Sequence, residues 1–411
     1  MFSPETASKK QRVGIMLDLG NSETRVRVKY KPIKGLEGTH EPVDMTFELS
    51  NHYVALLSDY VVSPDYMNSR SSILSINEMR IANGELVERE FIGSYSYPSG
   101  KNDKSSEPIT NWTIQLVIAK TYHLLSEAWD IPISDIDISF DILCLLPPDE
   151  HAYNKQAMID LVAGIDTVTE LVPVGDEENY TTAEYPVLCN MIQCYPEGIT
   201  AFFGMCVDIS GNKATPNPDI EKYRKGYVLI IDIGAGTTDL AIMQDGMLKA
   251  DSRMSIPDAG NHIISALTRN LKATKLRGRL QLGIKNVASI MEQGTVSEGD
   301  GVIVEDCAEQ LTAAKEELAE ALSHQIANWA NSNSVVSLAK GILIVGGANV
   351  AAIREGKIVS PAIDTFLMPK LKTFCPYAEL ISLRNRDPRY LNLDGLESVY
   401  LTYLAKRGAS K

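Results

Sequence analysis

YVLIIDIGAGTTDLAIM, residues 227–243, is the stretch that decides the fold. Its apolar run from Val228 to Ile231 reads as a strand buried on both faces. The run ends in Asp232-Ile-Gly234, passes through a turn carrying glycine and hydroxyls, and returns as a second apolar run from Leu240 to Ile242. No helical period opens after the turn, so the segment is a β-hairpin. The same order of features occurs near the N-terminus. In VGIMLDLGNSETRVRVKY, residues 13–30, an apolar run ends in Asp18-Leu-Gly20 and a polar turn follows. Val26, Val28 and Tyr30 then alternate with Arg25, Arg27 and Lys29, the period of a strand with one wet face. A unit repeated at this distance predicts duplicated domains.

The 411 residues agree, since single cores usually stop growing below that size. The expected division is 1–195 and 196–411. Each half is expected to carry an inserted subdomain, at about 35–108 with a mobile tip near 94–108, and at about 259–338. Helices are expected near 111–129, 150–162, 304–329 and from 389 onward, and strands near 136–146 and 341–345. In the third helix Leu311, Leu318, Leu322 and Ile326 form a core-facing stripe, with Glu309, Lys315, Glu316 and Glu320 placed elsewhere.

Composition narrows the function. At 44% apolar and 22% charged residues the chain can bury real cores, which argues against general disorder. A formal charge of -14 argues against a surface that grips nucleic acid directly. The six cysteines show no C-x-x-C spacing and the six histidines no metal-ligand pattern, so the cysteines are expected to be reduced and mostly in the core. Residues 1–12 are polar and no stretch has membrane-spanning length, which predicts a soluble cytoplasmic protein with no membrane contact. The sequons at Asn111 and Asn179 are then coincidental.

The chemistry gathers at the turns. Glycine lets backbone N–H groups approach anionic oxygens with no Cβ in the way. Gly20, Asn21 and Ser22, with Thr24 beginning the exit strand, are one candidate phosphate cradle. Gly234, Ala235, Gly236, Thr237 and Thr238 are the other. Asp18 and Asp232 each end an apolar strand. One such aspartate is ordinarily a turn residue, but two in equivalent frames beside phosphates call for a cation, and magnesium fits. Gly234-x-Gly236-x-x-Asp239 is not a dinucleotide fingerprint, because the third glycine is missing and a strand follows where a helix should open. No P-loop motif occurs. Gly346-Gly347-Ala348-Asn349 after a buried strand suits a tight turn approached by a flat base, although a plain left-handed turn explains the glycines equally well.

Taken in order, LDLGNSETRV, IIDIGAGTTDL and LIVGGANV resemble the phosphate 1, phosphate 2 and adenosine motifs of the actin, sugar-kinase and heat-shock-chaperone ATPase superfamily. The chain looks most similar to ParM-type bacterial actins that segregate plasmids. IQCYPEGITAFF, residues 192–203, resembles the connecting segment that supplies their water-positioning glutamate, here Glu197. Leu146-Pro147 and Leu393-Asp394-Gly395-Leu396 are similar to family features at corresponding places. Asn21-Ser22-Glu23 departs from the small or hydroxyl residues usual in the first turn. Lys272, Lys275 and Lys285 are candidates for the ribose and base in name only, and solvated lysines explain them as well.

The resemblance implies an α/β, actin-like ATPase fold of two duplicated ribonuclease-H-like domains, with the nucleotide in the interdomain cleft. It implies ATP (alternatively GTP) and Mg2+ as cofactors, with Asp18 and Asp232 acting on the metal through water and Glu197 orienting the attacking water. Gly346, Gly347, Ala348 and Asn349 would meet the adenosine. The implied function is an ATPase that polymerises with copies of itself and segregates plasmid DNA through a DNA-binding adaptor. A sugar or acyl kinase and a cell-shape or division actin share the same motifs. A full chaperone would need a peptide-binding domain beyond the adenosine motif, where about sixty residues remain.

Overall fold

A computed structural model describes residues 10–20, 23–32, 40–51, 53–57, 73–76, 79–83, 93–95, 104–173, 180–210, 213–272, 290–298, 302–383 and 386–409. The chain divides into two units, one of Met1–Leu146, Glu150–Pro196 and Val399–Lys411, the other of Pro147–Asp149 and Glu197–Ser398.

In the first unit, β1 (Gln11–Leu19) and β2 (Glu23–Tyr30) form the expected antiparallel hairpin. β3 (Val43–Ser50) extends it. Helix α1 (Pro108–Trp129) leads to β4 (Ile138–Leu146), which pairs parallel with β1. Pro147 and Pro148 then end the strand and open α2 (Pro148–Ala163), since proline removes a strand donor but suits a first helical turn. β5 (Cys189–Pro196) pairs parallel with β4, and the strand order is β5-β4-β1-β2-β3. β1 is central, which explains why Val13, Ile15, Met16 and Leu17 are all fully buried. Ile114, Val117, Ile118 and Tyr122 of α1 join that core.

The polar stretch expected at 35–108 contributes strands Tyr53–Leu57, Ile73–Ile76, Met79–Asn83 and Gly93–Tyr95 to a second, antiparallel sheet. That sheet also recruits Thr167–Pro173 and Tyr180–Pro186. Of the tip expected near 94–108, residues 96–103 lie outside the described ones.

The second unit repeats the plan. After α3 (Ile199–Met205), β6 (Tyr227–Ile233) and β7 (Thr238–Gln244) form the hairpin, and β8 (Met247–Leu248) extends it. Helices α4 (Gly260–Lys272) and α5 (Ala308–Ser332) precede β9 (Ala339–Val345), which is parallel to β6, and β10 (Glu379–Leu380), parallel to β9. The path β8-β7-β6-β9-β10 matches the five strands of the first unit in sequence and direction, and a sixth strand, Met254–Ile256, adds to β7. The last helix, α6 (Leu391–Ala409), contributes its N-terminal part to this unit and its remainder to the other.

Two expectations about α5 need correction. It starts at Ala308, not near 304, because the β-branched Val302-Ile303-Val304 forms a strand and Asp306 Oδ1 accepts the Ala308 amide at 3.0 Å. Lys315 lies on the apolar stripe, one turn after Leu311, and is fully buried. Its Nζ donates to the carbonyls of Val350 at 2.9 Å and Pro361 at 3.0 Å, which clips the base of the hairpin Ala352–Arg354/Lys357–Ser360. All six cysteines are free and four are buried. Among the described residues no helix is long and apolar enough to cross a membrane.

Burial lowers the Lys315 amine from 10.5 to about 8. Between those values the unfolded chain holds the extra proton, so stability must rise with pH across this window and the cost is constant below it. At about 1.4 kcal/mol per pH unit the gain from pH 8 to 10 is up to about 3 kcal/mol. Urea unfolding of Lys315→Met should lack this rise, measured by far-UV circular dichroism.

Candidate functional site

Asp232 sits at the end of β6 and is 6% exposed. Its neighbours along the strand, Leu229, Ile231 and Ile233, face one core while Val228 and Ile230 face another, so the strand is fixed on both sides. Antiparallel pairing places Asp239 directly opposite Asp232. Burial, and next the negative charge of Glu197, hold the Asp239 carboxyl well above the ordinary range, with Asp232 and Asp149 pushing the same way. The Ser255 hydroxyl donates to Asp239 and opposes the shift. Ser255 also reaches Asp149 Oδ1 at 3.4 Å, and Arg253 holds the Pro148 carbonyl at 3.1 Å. Asp232, Asp239, Glu197 and Asp149 thus form one acidic group, of which the sequence reading had picked out Asp232 and Glu197 only.

Glu197 follows β5 and is partly exposed. Gly198 after it takes a left-handed φ of 67°, which turns the chain into α3. Gly346 comes close to the same carboxylate from β9. A Cβ there would stand 2.4 Å from the Ile233 carbonyl and 2.5 Å from Asp232 Oδ1, and its φ is 98°.

The turn after Asp232 is built from within and from behind. The Gly234 amide donates to the Thr237 carbonyl at 2.9 Å, and the buried Thr238 hydroxyl donates to the Asp258 carbonyl at 2.7 Å. The amides of Ala348, Gly260 and Asn261 take the carbonyls of Ile233, Gly234 and Ala235 at 3.0, 2.9 and 2.7 Å. Gly234 and Thr238 therefore shape the turn. Among the described residues the amides of Ala235, Gly236 and Thr237 donate to no main-chain carbonyl, which is what a phosphate cradle requires.

The first unit uses the same device. Asp18 ends β1 at 7% exposure, and the Gly20 amide donates to the Asp18 carbonyl at 3.1 Å. Thr24 is fully buried and its hydroxyl donates to Asn51 Oδ1 at 2.9 Å, while Asn51 Nδ2 donates to the Gly20 carbonyl. Asn51, unsuspected from sequence, pins this turn from β3. Asn21 and Ser22 lie outside the described residues, as do Lys275, Lys285 and the side chain of Lys272.

Asn349 of the third motif is 2% exposed and uses both ends of its amide internally. It donates to the Ile344 carbonyl at 3.1 Å and accepts from the Asp364 amide at 3.0 Å. It therefore shapes the loop, with Gly347 and Ala348 between it and Gly346. A groove of about 510 Å³ opens beside it, lined by Val350, Ile353, Leu380, Arg386 and Arg389 among others.

Among the described residues no three His, Cys, Asp or Glu side chains are grouped to hold a metal by themselves. The strand-end carboxylates of Asp18 and Asp232, each beside a glycine turn, are the kind of donor that hydrated magnesium takes together with phosphate oxygens.

Gly346→Ala should lose at least about 2 kcal/mol of stability, because strain and a backbone clash add. Gly356→Ala is its control. Gly356 has a φ of 73° and nothing within 4 Å of a new Cβ, so only the strain remains, about 1 kcal/mol. Chemical denaturation of both variants measures the difference.

No family profile matches the sequence, and no curated protein matches it. Solved structures do. The actin-like protein Alp7A is 17% identical, with 97% of this chain and 98% of that one covered and a TM-score of 0.63. The archaeal actin homologue Ta0583 is 15% identical over 95% and 99%, with a TM-score of 0.59. ParM of Bacillus thuringiensis, solved with ATP, is 14% identical over 96% and 100%, with a TM-score of 0.55. At these identities the likeness is one of fold: along nearly its whole length the chain is built on the actin-like fold of these proteins.

Proposed function

We propose that this chain is an actin-like ATPase that binds ATP with Mg2+, polymerises with copies of itself in a nucleotide-dependent way, and segregates plasmid DNA in the cytoplasm through a DNA-binding adaptor. The observation that carries the reading is the duplicated five-stranded plan with an Asp-x-Gly turn at the same place in each unit. That ParM of Bacillus thuringiensis is solved with ATP, and Ta0583 also with ADP, supports the choice of nucleotide. The net charge of -14 favours an adaptor over direct contact with DNA.

In this reading each turn is a phosphate cradle. The amides of Ala235, Gly236 and Thr237 hold phosphate oxygens, each charged hydrogen bond giving roughly 1.5–3 kcal/mol. Asn21 and Ser22 supply the corresponding donors in the other unit, where Gly20 shapes the turn as Gly234 does here, and Gly346 and Gly347 admit the adenosine. Asp18 and Asp232 would hold magnesium through its waters, and the ion when bound would neutralise charge on the β- and γ-phosphates. Glu197 orients the attacking water and accepts its hydrogen bond. Phosphoryl transfer is catalysed largely by positioning and charge stabilisation, so no covalent nucleophile is needed.

Glu197→Ala should hydrolyse ATP on the order of 10²-fold more slowly while binding nucleotide and still assembling. Full hydrolysis in that variant would take Glu197 out of the mechanism. Assembly is read by sedimentation and light scattering with magnesium and ATP, against ADP and nucleotide-free controls. Pelleting with ATP alone is the expected result, whereas ATP consumption that waits for an added sugar and yields no pellet would identify a kinase.

A further inference from the structure

Asn392, the second residue of α6, is engaged at both ends of its amide. Nδ2 donates to Asp232 Oδ2 at 3.0 Å and Oδ1 accepts the Gly198 N–H at 3.0 Å. Asn392 is 7% exposed, so neither bond competes with bulk water. The helix start is itself fixed. Leu391 belongs to the core with Ile199, Phe202 and Ile230, and Gly395 lies against the Thr200 carbonyl of α3.

We propose that Asn392 is a positioning residue for nucleotide hydrolysis: one amide sets the Asp232 carboxylate and the Glu197-Gly198 turn at a fixed separation. The inference rests on the ATPase reading above. Glu197 is joined to the Gly198 N–H by a single peptide bond, so fixing that N–H fixes the backbone from which Glu197 reaches. The two carboxylates are assigned different tasks, and an error of about 1 Å between such groups costs on the order of 10²-fold in rate. The chemistry also specifies the residue type. Bridging an anionic acceptor and an N–H donor requires a donor and an acceptor on one short side chain. A lysine ammonium has no acceptor, an ionised aspartate has no donor, and a serine is too short to span both.

Asn392→Asp makes the test specific. It keeps the acceptor for Gly198 but puts a carboxylate oxygen where Nδ2 donated to Asp232, so only one end of the bridge is lost. The variant kcat should be about 10²-fold below wild type with KM changed less than about threefold, while its Gly198 amide should exchange hydrogen at the wild-type rate.

Asn392→Ser covers the case in which the aspartate variant does not fold. It should lose about tenfold or more in kcat. In the nucleotide-free protein its Gly198 amide should exchange hydrogen at least about tenfold faster than in wild type, since the bond that protects it is gone. Wild-type kcat in both variants, or a Gly198 amide in Asn392→Ser that exchanges at the wild-type rate, would overturn the proposal while the ATPase reading stands. A wild-type protein that hydrolyses no nucleotide would remove both.

Discussion

A carboxylate withdrawn from water at the end of a buried strand is costly unless its surroundings answer it. Asp232 imposes that constraint on the second unit, and much of the local sequence is its consequence. Asn392 meets one oxygen with a neutral donor. Gly346 lets the backbone of the neighbouring strand close on the other. Asp239 stands opposite in the register, and burial with the neighbouring negative charges holds its carboxyl above the ordinary aspartate range. Ser255 gives that carboxyl a partner and links it to Asp149. Substituting any of these residues therefore alters the electrostatics of the same oxygen atoms.

The two units share more than strand order. In each, the threonine that begins the exit strand is buried, and its hydroxyl braces the turn that precedes it. The partner differs: Thr24 bonds the side chain of Asn51, whereas Thr238 bonds the main chain of Asp258. What has persisted between the halves is a mechanical arrangement, a rigid exit strand holding a short loop.

How much of this could be read in the sequence depends on distance along the chain. The hairpins, the strand-ending aspartates and the leucine stripe of α5 are short-range patterns, and a period of two or of 3.6 announces them directly. Asn392 and Asp232 are 160 positions apart, and Thr24 and Asn51 are 27 apart, so no local period connects them. Asp239 was in plain view in Gly234-x-Gly236-x-x-Asp239, but a motif rejected as a dinucleotide fingerprint gave no reason to keep its last residue. Lys315 was misplaced because its charge outweighed its spacing: it occupies a leucine position, and only folding brings two carbonyls to its amine. Polar composition similarly disguised the second sheet of the first unit, whose strands find partners at 167–186.

The turn between β6 and β7 has its carbonyls at Ile233, Gly234, Ala235 and Thr237 committed to neighbouring amides. What it offers a visitor is therefore a row of peptide dipoles of one polarity, anchored to a sheet and a helix. Main-chain amides neither gain nor lose charge at any physiological acidity. A grip made from them would keep its own polarity in an acidified compartment, so any acid sensitivity of anion binding there would come from the anion or from neighbouring side chains and not from the amides.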